Sequence, residues 1–526
     1  MQKIFLYDTT LRDGTQGEDI SFSAEDKIKI AKRLDAFGVA YIEGGWPGSN
    51  PKDMEFFERA RTTKFAHAKI AAFGSTCRAK NPVEKDANIR ALLDAQTPVV
   101  TIFGKAWLLH VKQALQISPE QNLTIIRDSV AYLKKHGKEV IYDAEHFFDG
   151  YKQDKAYALE TIAAAAKTGA EILVLCDTNG GTLPWEIAEI VREVKKSMST
   201  PLGIHTHNDS GTAVASSLMA VSEGCVQVQG TINGYGERCG NANLCTIIPD
   251  LQLKMGYRCV PDEQLQHLTS VSRYVSELAN MKHQKNLPFV GESAFAHKGG
   301  VHVSAVMKTA LTYEHIVPES VGSVRRVLIS DLSGRSNVLF KVKELGVELD
   351  EKSSVVQNIV DEIKEMEHYG YSYEDAEGSF ELMVKRHTGE MKHFFDLERF
   401  KVSIQKDSLE KDARSEALIK IRVGSETEIT AAEGDGPINA LDKALRKALE
   451  KFYPELSQIH LTDYKVRVLD TQNATAAKVR VLIETKDDKS SWNTVGVSPD
   501  VVEASWKVLV DSISYHLLKH KTKGVK

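Results

Sequence analysis

The stretch Leu202–Asp209 reads Leu-Gly-Ile-His-Thr-His-Asn-Asp, a short apolar run ending in two histidines at i and i+2. Side chains two apart on a strand point to the same face, so His205 and His207 can grip one ion. Near the N-terminus, Lys3–Asp13 is another apolar strand pattern that runs out into an arginine and a carboxylate, Arg12 and Asp13. The expectation is that Asp13, His205 and His207 meet, with Asn241 adding an amide oxygen. Such a donor set suits Mn, Zn, Mg or Co as a divalent ion with positions left open for substrate. No thiolate belongs to it, which argues against a closed structural zinc. The bland alternative is a pair of hydrogen-bonded core histidines. Arg12 cannot lose its proton and presents a rigid fork of donors, so its expected task is to hold an oxygen that gains negative charge. A salt bridge from Arg12 to Glu43 is compatible with that task.

These residues need elements that carry them to one place. From residue 1 to about 255, β-rich apolar runs alternate with helical patterns: Ile4–Asp8, Val39–Glu43, Lys69–Phe73, Val99–Phe103, Glu139–Glu145, Ile172–Asp177, Leu202–His207 and Val226–Ile232. Cap signals punctuate the helices, as in Ser23-Ala-Glu-Asp26 before Lys27–Phe37, Ser118-Pro-Glu before Gln121–His136 and Asp209-Ser-Gly before Thr212–Glu223. Eight alternating units with short loops predict an α/β fold, a (β/α)8 TIM barrel over residues 1–259. Polar residues cluster just after the strands' C-terminal ends, where the active sites of barrels sit. Asp209 and Asn179 there have an equal reading as helix caps. Gly234-Tyr-Gly-Glu-Arg-Cys-Gly240 has the spacing G-x-G-x-x-x-G, so it reads as a tight loop delivering Asn241 and not as a dinucleotide fingerprint.

Beyond the barrel the pattern changes. Tyr257–Leu287 reads as two helices, a Gly- and His-rich stretch follows at Phe289–Val306, and helical segments come at Ser336–Leu345 and Ser353–Tyr369. Residues 260–394 are therefore a small, mostly helical linker region. In the last third, Phe400–Gln405, Ala417–Val423 and Glu426–Ala431 lead into a helix at Ile438–Phe452. Tyr464–Leu469, Ala476–Glu484 and Trp492–Val497 lead into a second at Asp500–Leu518. Two βββα repeats in tandem predict a C-terminal α+β domain over residues 395–526, regulatory or dimerising in role, and favour a homodimer.

Composition bounds the rest. The chain has 526 residues and a net charge of −5 with acids and bases interspersed, which points to neither nucleic acid nor an anionic membrane. The basic cluster Lys519–Lys526 reads as a solvated tail. Six scattered cysteines without a Cys-x-x-Cys pair read as reduced thiols, and with no membrane-length apolar run or targeting pattern the expected location is cytoplasmic.

Asp8-Thr-Thr-Leu-Arg-Asp-Gly-Thr-Gln16, His205-Thr-His-Asn-Asp-Ser-Gly211 and Gly234-Tyr-Gly-Glu-Arg-Cys-Gly-Asn241 resemble the signatures of the metal-dependent acyl-CoA-condensing barrel family that includes 2-isopropylmalate, homocitrate and citramalate synthases. Gly45-Trp-Pro-Gly-Ser-Asn-Pro51 and Trp492-Asn-Thr-Val-Gly-Val-Ser498 resemble most its citramalate synthase branch. The segment His297–His302 and the C-terminal repeat with Gly434-Asp-Gly-Pro437 look like the accessory and regulatory domains of the long members. The resemblance implies Asp13, His205, His207 and Asn241 as metal ligands, and acetyl-CoA and pyruvate as substrates of a Claisen-type condensation. It implies Arg12 and Thr178 as substrate-binding residues, and Arg12, Glu145, His302 and Tyr313 as catalytic ones. His302 or Glu145 would be the base, with His302 and Tyr313 reaching over the barrel mouth. Isoleucine is the effector it implies for the C-terminal repeat. One departure stands out, Asp143-Ala-Glu-His-Phe147, in which His146 replaces the aspartate that usually follows the strand-5 acid. The rival readings are a 2-isopropylmalate synthase, a homocitrate synthase, a carbon–carbon lyase or aldolase, and a non-catalytic amino-acid sensor on a degenerate barrel.

Overall fold

The structure, a computed structural model, describes residues 2–408, 412–469 and 477–520. Its described residues form two compact units, one from Met1–Phe295 with His315–Arg325, the other from Ala296–Glu314 with Arg326–Lys526. Ala476, where a strand is expected to begin, and the tail beyond residue 520 lie outside the described residues.

In the first unit, eight parallel strands close into a barrel: β1 (Phe5–Asp8), β2 (Tyr41–Gly45), β3 (Lys69–Ser75), β4 (Val99–Lys105), β5 (Glu139–Glu145), β6 (Ile172–Asp177), β7 (Leu202–Thr206) and β8 (Gln227–Gly230). β8 pairs with β1, Tyr7 lying opposite Gln229, so the first and last strands of the sequence pattern are neighbours. Every strand is followed by a helix that buries one face against the barrel, and Val and Ile on both strand faces explain why the runs look almost continuously apolar. The expected TIM barrel is therefore the observed one.

The sequence signals work locally as well. Ser23 and Ser118 both form capping boxes, each side-chain oxygen accepting from the third helical N–H while Asp26 or Gln121 reaches back to the cap. Asp209 and Asn179 do not cap. Asp209 pairs with Arg238, Asn179 donates to Asp149, and the helix Ala213–Ser222 instead receives Asn208 on the Ala213 N–H. The helix expected to continue to Leu287 stops at Leu278, because Asn280 takes up a left-handed conformation at φ 54°.

In the second unit, β9 (Ala296–His297) and β10 (Arg326–Val327) form a minimal parallel pair beside the helices Gly300–Lys308, Arg335–Glu344, Ser354–Tyr369 and Glu377–His387. The last of these helices had no counterpart in the sequence reading. Two antiparallel three-stranded sheets follow: β11 (Asp396–Gln405), β12 (Arg414–Val423) and β13 (Glu426–Gly434), then β14 (His460–Val468), β15 (Val479–Lys486) and β16 (Ser491–Ser498). Each sheet is covered by its own helix, Pro437–Leu449 and Val501–Lys519, and the two halves share one core containing Leu441, Leu445, Val481 and Leu509. The two βββα repeats are present. Ile404, Ile429, Val466 and Val468 remain exposed on these sheets.

Candidate metal centre

The period-2 alternation of the barrel strands stacks inward-facing side chains in layers. The lower layer is apolar and aromatic, with Tyr41, Val99, Ile141 and Val174. The layer above it is polar: Tyr7, Glu43, Thr101, Asp143, His205 and Gln229 are all buried. Strand register explains the grouping, since His205 lies opposite both Cys176 and Gln229, and Gln229 opposite Tyr7. One further inward step along each strand reaches the mouth, where Glu145 and His207 stand.

Asp13 sits in a short 3-10 turn, Asp13–Gln16, that continues β1 past its end. Its carboxylate meets both histidines, Oδ2 lying 3.3 Å from Nε2 of His205 and 4.0 Å from Nε2 of His207. The two Nε2 atoms are 3.3 Å apart. Three ligand atoms so close suit a shared ion: four donors about 2.1 Å from a cation are separated by about 3–3.5 Å. Asn241 is drawn beside them by a bridge between His207 and Asn241. Its amide nitrogen donates to the Tyr235 carbonyl, while its Oδ1 is buried with no hydrogen-bond partner among the described residues. Gly236, at φ 154°, leaves room for that amide, and a Cβ there would collide with it. A buried, orphaned oxygen next to two imidazoles and a carboxylate fits a divalent ion.

The surroundings set the charge state. Burial would raise the Asp13 carboxyl, but the charge of Arg12 and the hydrogen bond and charge of His205 hold it well below the ordinary carboxylate range. Burial works against a charged His205, yet the hydrogen bond and charge of Asp13, together with Asp143, raise its pKa. Burial and the adjacent His205 push His207 down to about 4, so that ring is neutral. Asp143 is pushed up to about 7 by burial, against the pull of His205. Arg12 is pinned by its Nε–H to Glu43 at 2.5 Å, with Nη1 3.3 Å from Asp13 and its guanidinium 3.7 Å above the Phe73 ring.

A cavity of about 210 Å³ opens here, lined by Arg12, Asp13, His205, His207, Thr178 and Glu145 among others. Trp46, Phe73 and Phe103 make its aromatic wall, and Trp46 packs edge-on against both phenyl rings. Thr178 Oγ1 accepts the backbone N–H of His146 at 2.9 Å, which leaves the hydroxyl hydrogen to be donated elsewhere. That contact depends on His146 being left-handed, φ 55° and ψ 36°. Aspartate and histidine are both among the residues that adopt this conformation, so the replacement of the expected aspartate preserves the turn. Glu145 forms an ion pair with Lys105 across the β4–β5 ladder. Arg238, also left-handed, clamps Asp209 and donates to the Thr178 carbonyl, tying the loop after β8 to the loop after β6.

Asp13, His205, His207, Asn241, Arg12, Thr178 and Glu145 are therefore brought together. His302 and Tyr313 belong to the second unit, where their rings pack at 4.3 Å. Sequence reasoning missed Lys105, Asp143 and Gln229. Asp143 carried an available signal, as a carboxylate at an inward position within the stretch Val140–Ala144 of β5 that is otherwise free of charge, whereas the Gln-Val-Gln-Gly of β8 does not single out Gln229.

A family model described as HMGL-like matches residues 3–275, one for a homocitrate synthase post-HMGL domain matches 289–370, and one for the LeuA allosteric (dimerisation) domain matches 374–517. The (R)-citramalate synthase of Geobacter sulfurreducens is 58% identical over 525 residues, spanning 100% of this chain and 99% of that protein. That of Aquifex aeolicus is 55% identical with the same coverage. The 2-isopropylmalate synthase of Methanocaldococcus jannaschii stands further off, at 31% over 99% of this chain and 96% of its own. With an Asp/His/His constellation at the barrel mouth and likeness along its whole length, the chain belongs to the HMGL-like family, in the group of the (R)-citramalate synthases.

Proposed function

We propose that the chain condenses acetyl-CoA with pyruvate and hydrolyses the thioester, giving (R)-citramalate and CoA in isoleucine biosynthesis. The observation that carries this reading is the convergence of Asp13, His205 and His207 beside Arg12 in one cavity. Full-length likeness to (R)-citramalate synthases favours pyruvate as acceptor over 2-oxoisovalerate.

Asp13, His205 and His207, with the orphaned oxygen of Asn241, would hold the divalent cation, which when bound makes the ketone carbon more electrophilic. Thr178 offers its hydroxyl hydrogen to the keto-acid carboxylate, its oxygen being occupied by the His146 N–H. Arg12, immobilised by Glu43 and Phe73, presents fixed positive charge where the ketone oxygen turns into an alkoxide. A base takes a proton from the acetyl methyl, the carbon so freed bonds to the ketone carbon as the C=O electron pair moves onto oxygen, that alkoxide takes up a proton to become the hydroxyl, and water splits the thioester into carboxylate and thiol. The methyl is a weak acid, so the base must be positioned. Glu145, in the cavity wall and paired with Lys105, is one proposed base and His302 the other, with Tyr313 beside it. Glu145→Gln and His302→Ala separate them: the variant whose methyl deuterium exchange stops identifies the base.

We further propose a cytoplasmic homodimer associated through the C-terminal domain, with isoleucine inhibiting through residues 395–526. The match to the LeuA allosteric (dimerisation) domain supports this. Removing that segment should abolish isoleucine inhibition, and undiminished inhibition in the truncated enzyme overturns it. A thiol-release assay tests the main reading. Turnover should be far faster with pyruvate than with 2-oxoisovalerate, and the reverse order would make the chain a 2-isopropylmalate synthase.

A further inference from the structure

The second unit carries another cluster of ligating side chains that the condensation does not use. β15 and β16 are joined by a tight turn in which the Asp487 N–H donates to the Ser490 carbonyl. Oδ1 of Asp487 accepts from the backbone of Lys489 and Ser490, at 2.8 and 2.6 Å, and from the Ser490 hydroxyl at 3.1 Å. One carboxylate oxygen is thereby committed to the turn. The other, Oδ2, faces the C-terminal end of the helix Val501–Lys519, 3.8 Å from Nδ1 of His516 and 3.6 Å from Nε2 of His520. The two histidines are four apart, so they stand on one helix face with ring centroids 4.2 Å apart.

His516 supplies the second observation. It is fully buried and stacked flat on Trp492 at 5.6 Å, and among the described residues neither ring nitrogen has a partner in hydrogen-bond geometry, the backbone of Glu455 favouring a charged ring only from a looser approach. An ion pair with Asp487 would account for His520 at the surface. It would leave a buried imidazole whose nitrogens are unused, and native structures rarely tolerate that.

We propose that Asp487, His516 and His520 form a second divalent-cation site, of the zinc type, that staples the last helix to the β15–β16 turn. Two imidazoles and a carboxylate are borderline ligands preferred by Zn²⁺. Oδ2 of Asp487 needs to draw in by only a few tenths of an ångström from 3.8 and 3.6 Å to reach the roughly 3.3 Å spacing of a tetrahedral site from each ring nitrogen, and all three ligand atoms already lie within 4.8 Å of one another. Oδ1 and its three donors act as the outer layer that aims Oδ2. His520, with 38% of its side chain exposed, gives the ion a path from solvent. Lys519 is turned away to the Ser490 hydroxyl. The inference does not rest on the condensation reading, since the cluster shares no residue with the barrel.

The test uses the full-length protein loaded with excess Zn²⁺, desalted and assayed for bound metal. Wild type should retain two equivalents and His520→Gln one. His205→Ala/His207→Ala, which removes the barrel ligands, should retain one, and adding His520→Gln to it none. Asp487→Asn should weaken the remaining site by more than the roughly 10–100-fold that loss of an outer-layer partner costs. Co²⁺ in the barrel-ligand variant should give the visible absorption of a low-coordinate site. Zinc retention unchanged by both His520→Gln and Asp487→Asn would overturn the proposal, as would one equivalent in wild type that His520→Gln leaves in place. The single His520→Gln variant decides the matter even if the barrel-ligand variant fails to fold.

Discussion

Oε1 of Gln229 lies 2.9 Å from Nδ1 of His205, while the amide nitrogen of the same Gln229 donates to Asp143 at 3.0 Å. The donation to Asp143 fixes which end of the amide faces the ring. A carbonyl oxygen there accepts a proton held on Nδ1, so Nε2 presents its lone pair to the shared ion position beside Asp13. Replacing Gln229 by Met keeps the volume and removes the orientation. Gln229→Met should weaken Mn²⁺ binding by about 10–100-fold, read by titration calorimetry, with activity partly restored at high metal. Unchanged affinity would mean that the ring is held by packing alone.

The two imidazoles should compete with protons very differently. His205 has its pKa raised, first against burial and then by Asp13 and Asp143, whereas His207 sits near 4. Metal binding requires neutral rings, so only His205 must lose a proton across about pH 5 to 8. Because its proton is held more tightly than in free imidazole, the competition extends above the ordinary histidine range. The metal association constant of the metal-free protein should rise about tenfold per pH unit up to the His205 pKa and then level off. A slope of two protons would show that His207 titrates as well.

Arg12 spends its Nε on Glu43 and lies flat over Phe73. Lysine would keep the charge but lose both the fork and the stacking surface. Arg12→Lys should lower kcat by about 10²–10³-fold, the scale of losing a preorganised donor at a developing oxyanion. The metal stoichiometry should stay at the wild-type value, which separates loss of chemistry from loss of the centre.

Much of this was legible in the chain. His-x-His at the end of an apolar run, an acid just past the first strand and eight alternating units were sufficient to place Asp13, His205 and His207 together, because a closed barrel makes β1, β7 and β8 neighbours whatever their sequence separation. What stayed hidden depended on depth. Asp143 and Gln229 become partners only when two strands separated by 86 residues face each other across the barrel interior, and no local period records that. Asp209 looked like a cap and is an ion-pair anchor, because Arg238 arrives from another loop. His146 looked like a break in a motif, yet the left-handed turn it adopts accepts either residue.

Asp143 also gives a stability test with a definite sign. Burial lifts its carboxyl to about 7, from about 3.9 in an unfolded chain. Below about pH 4 both states hold the proton and the group is neutral to stability. As pH rises from about 4 to about 7 the unfolded chain releases its proton while the folded one keeps it, so stability is lost progressively and the cost levels off above about 7. Three pKa units correspond to roughly 4 kcal/mol as an upper bound. Asparagine does not titrate, and its oxygen can still accept from Gln229. In metal-free protein, Asp143→Asn should therefore be more stable than wild type at pH 8, with the gain shrinking toward pH 4, as read from urea midpoints. An equal difference at both ends of that range would show that the Asp143 carboxyl is not held protonated by the fold.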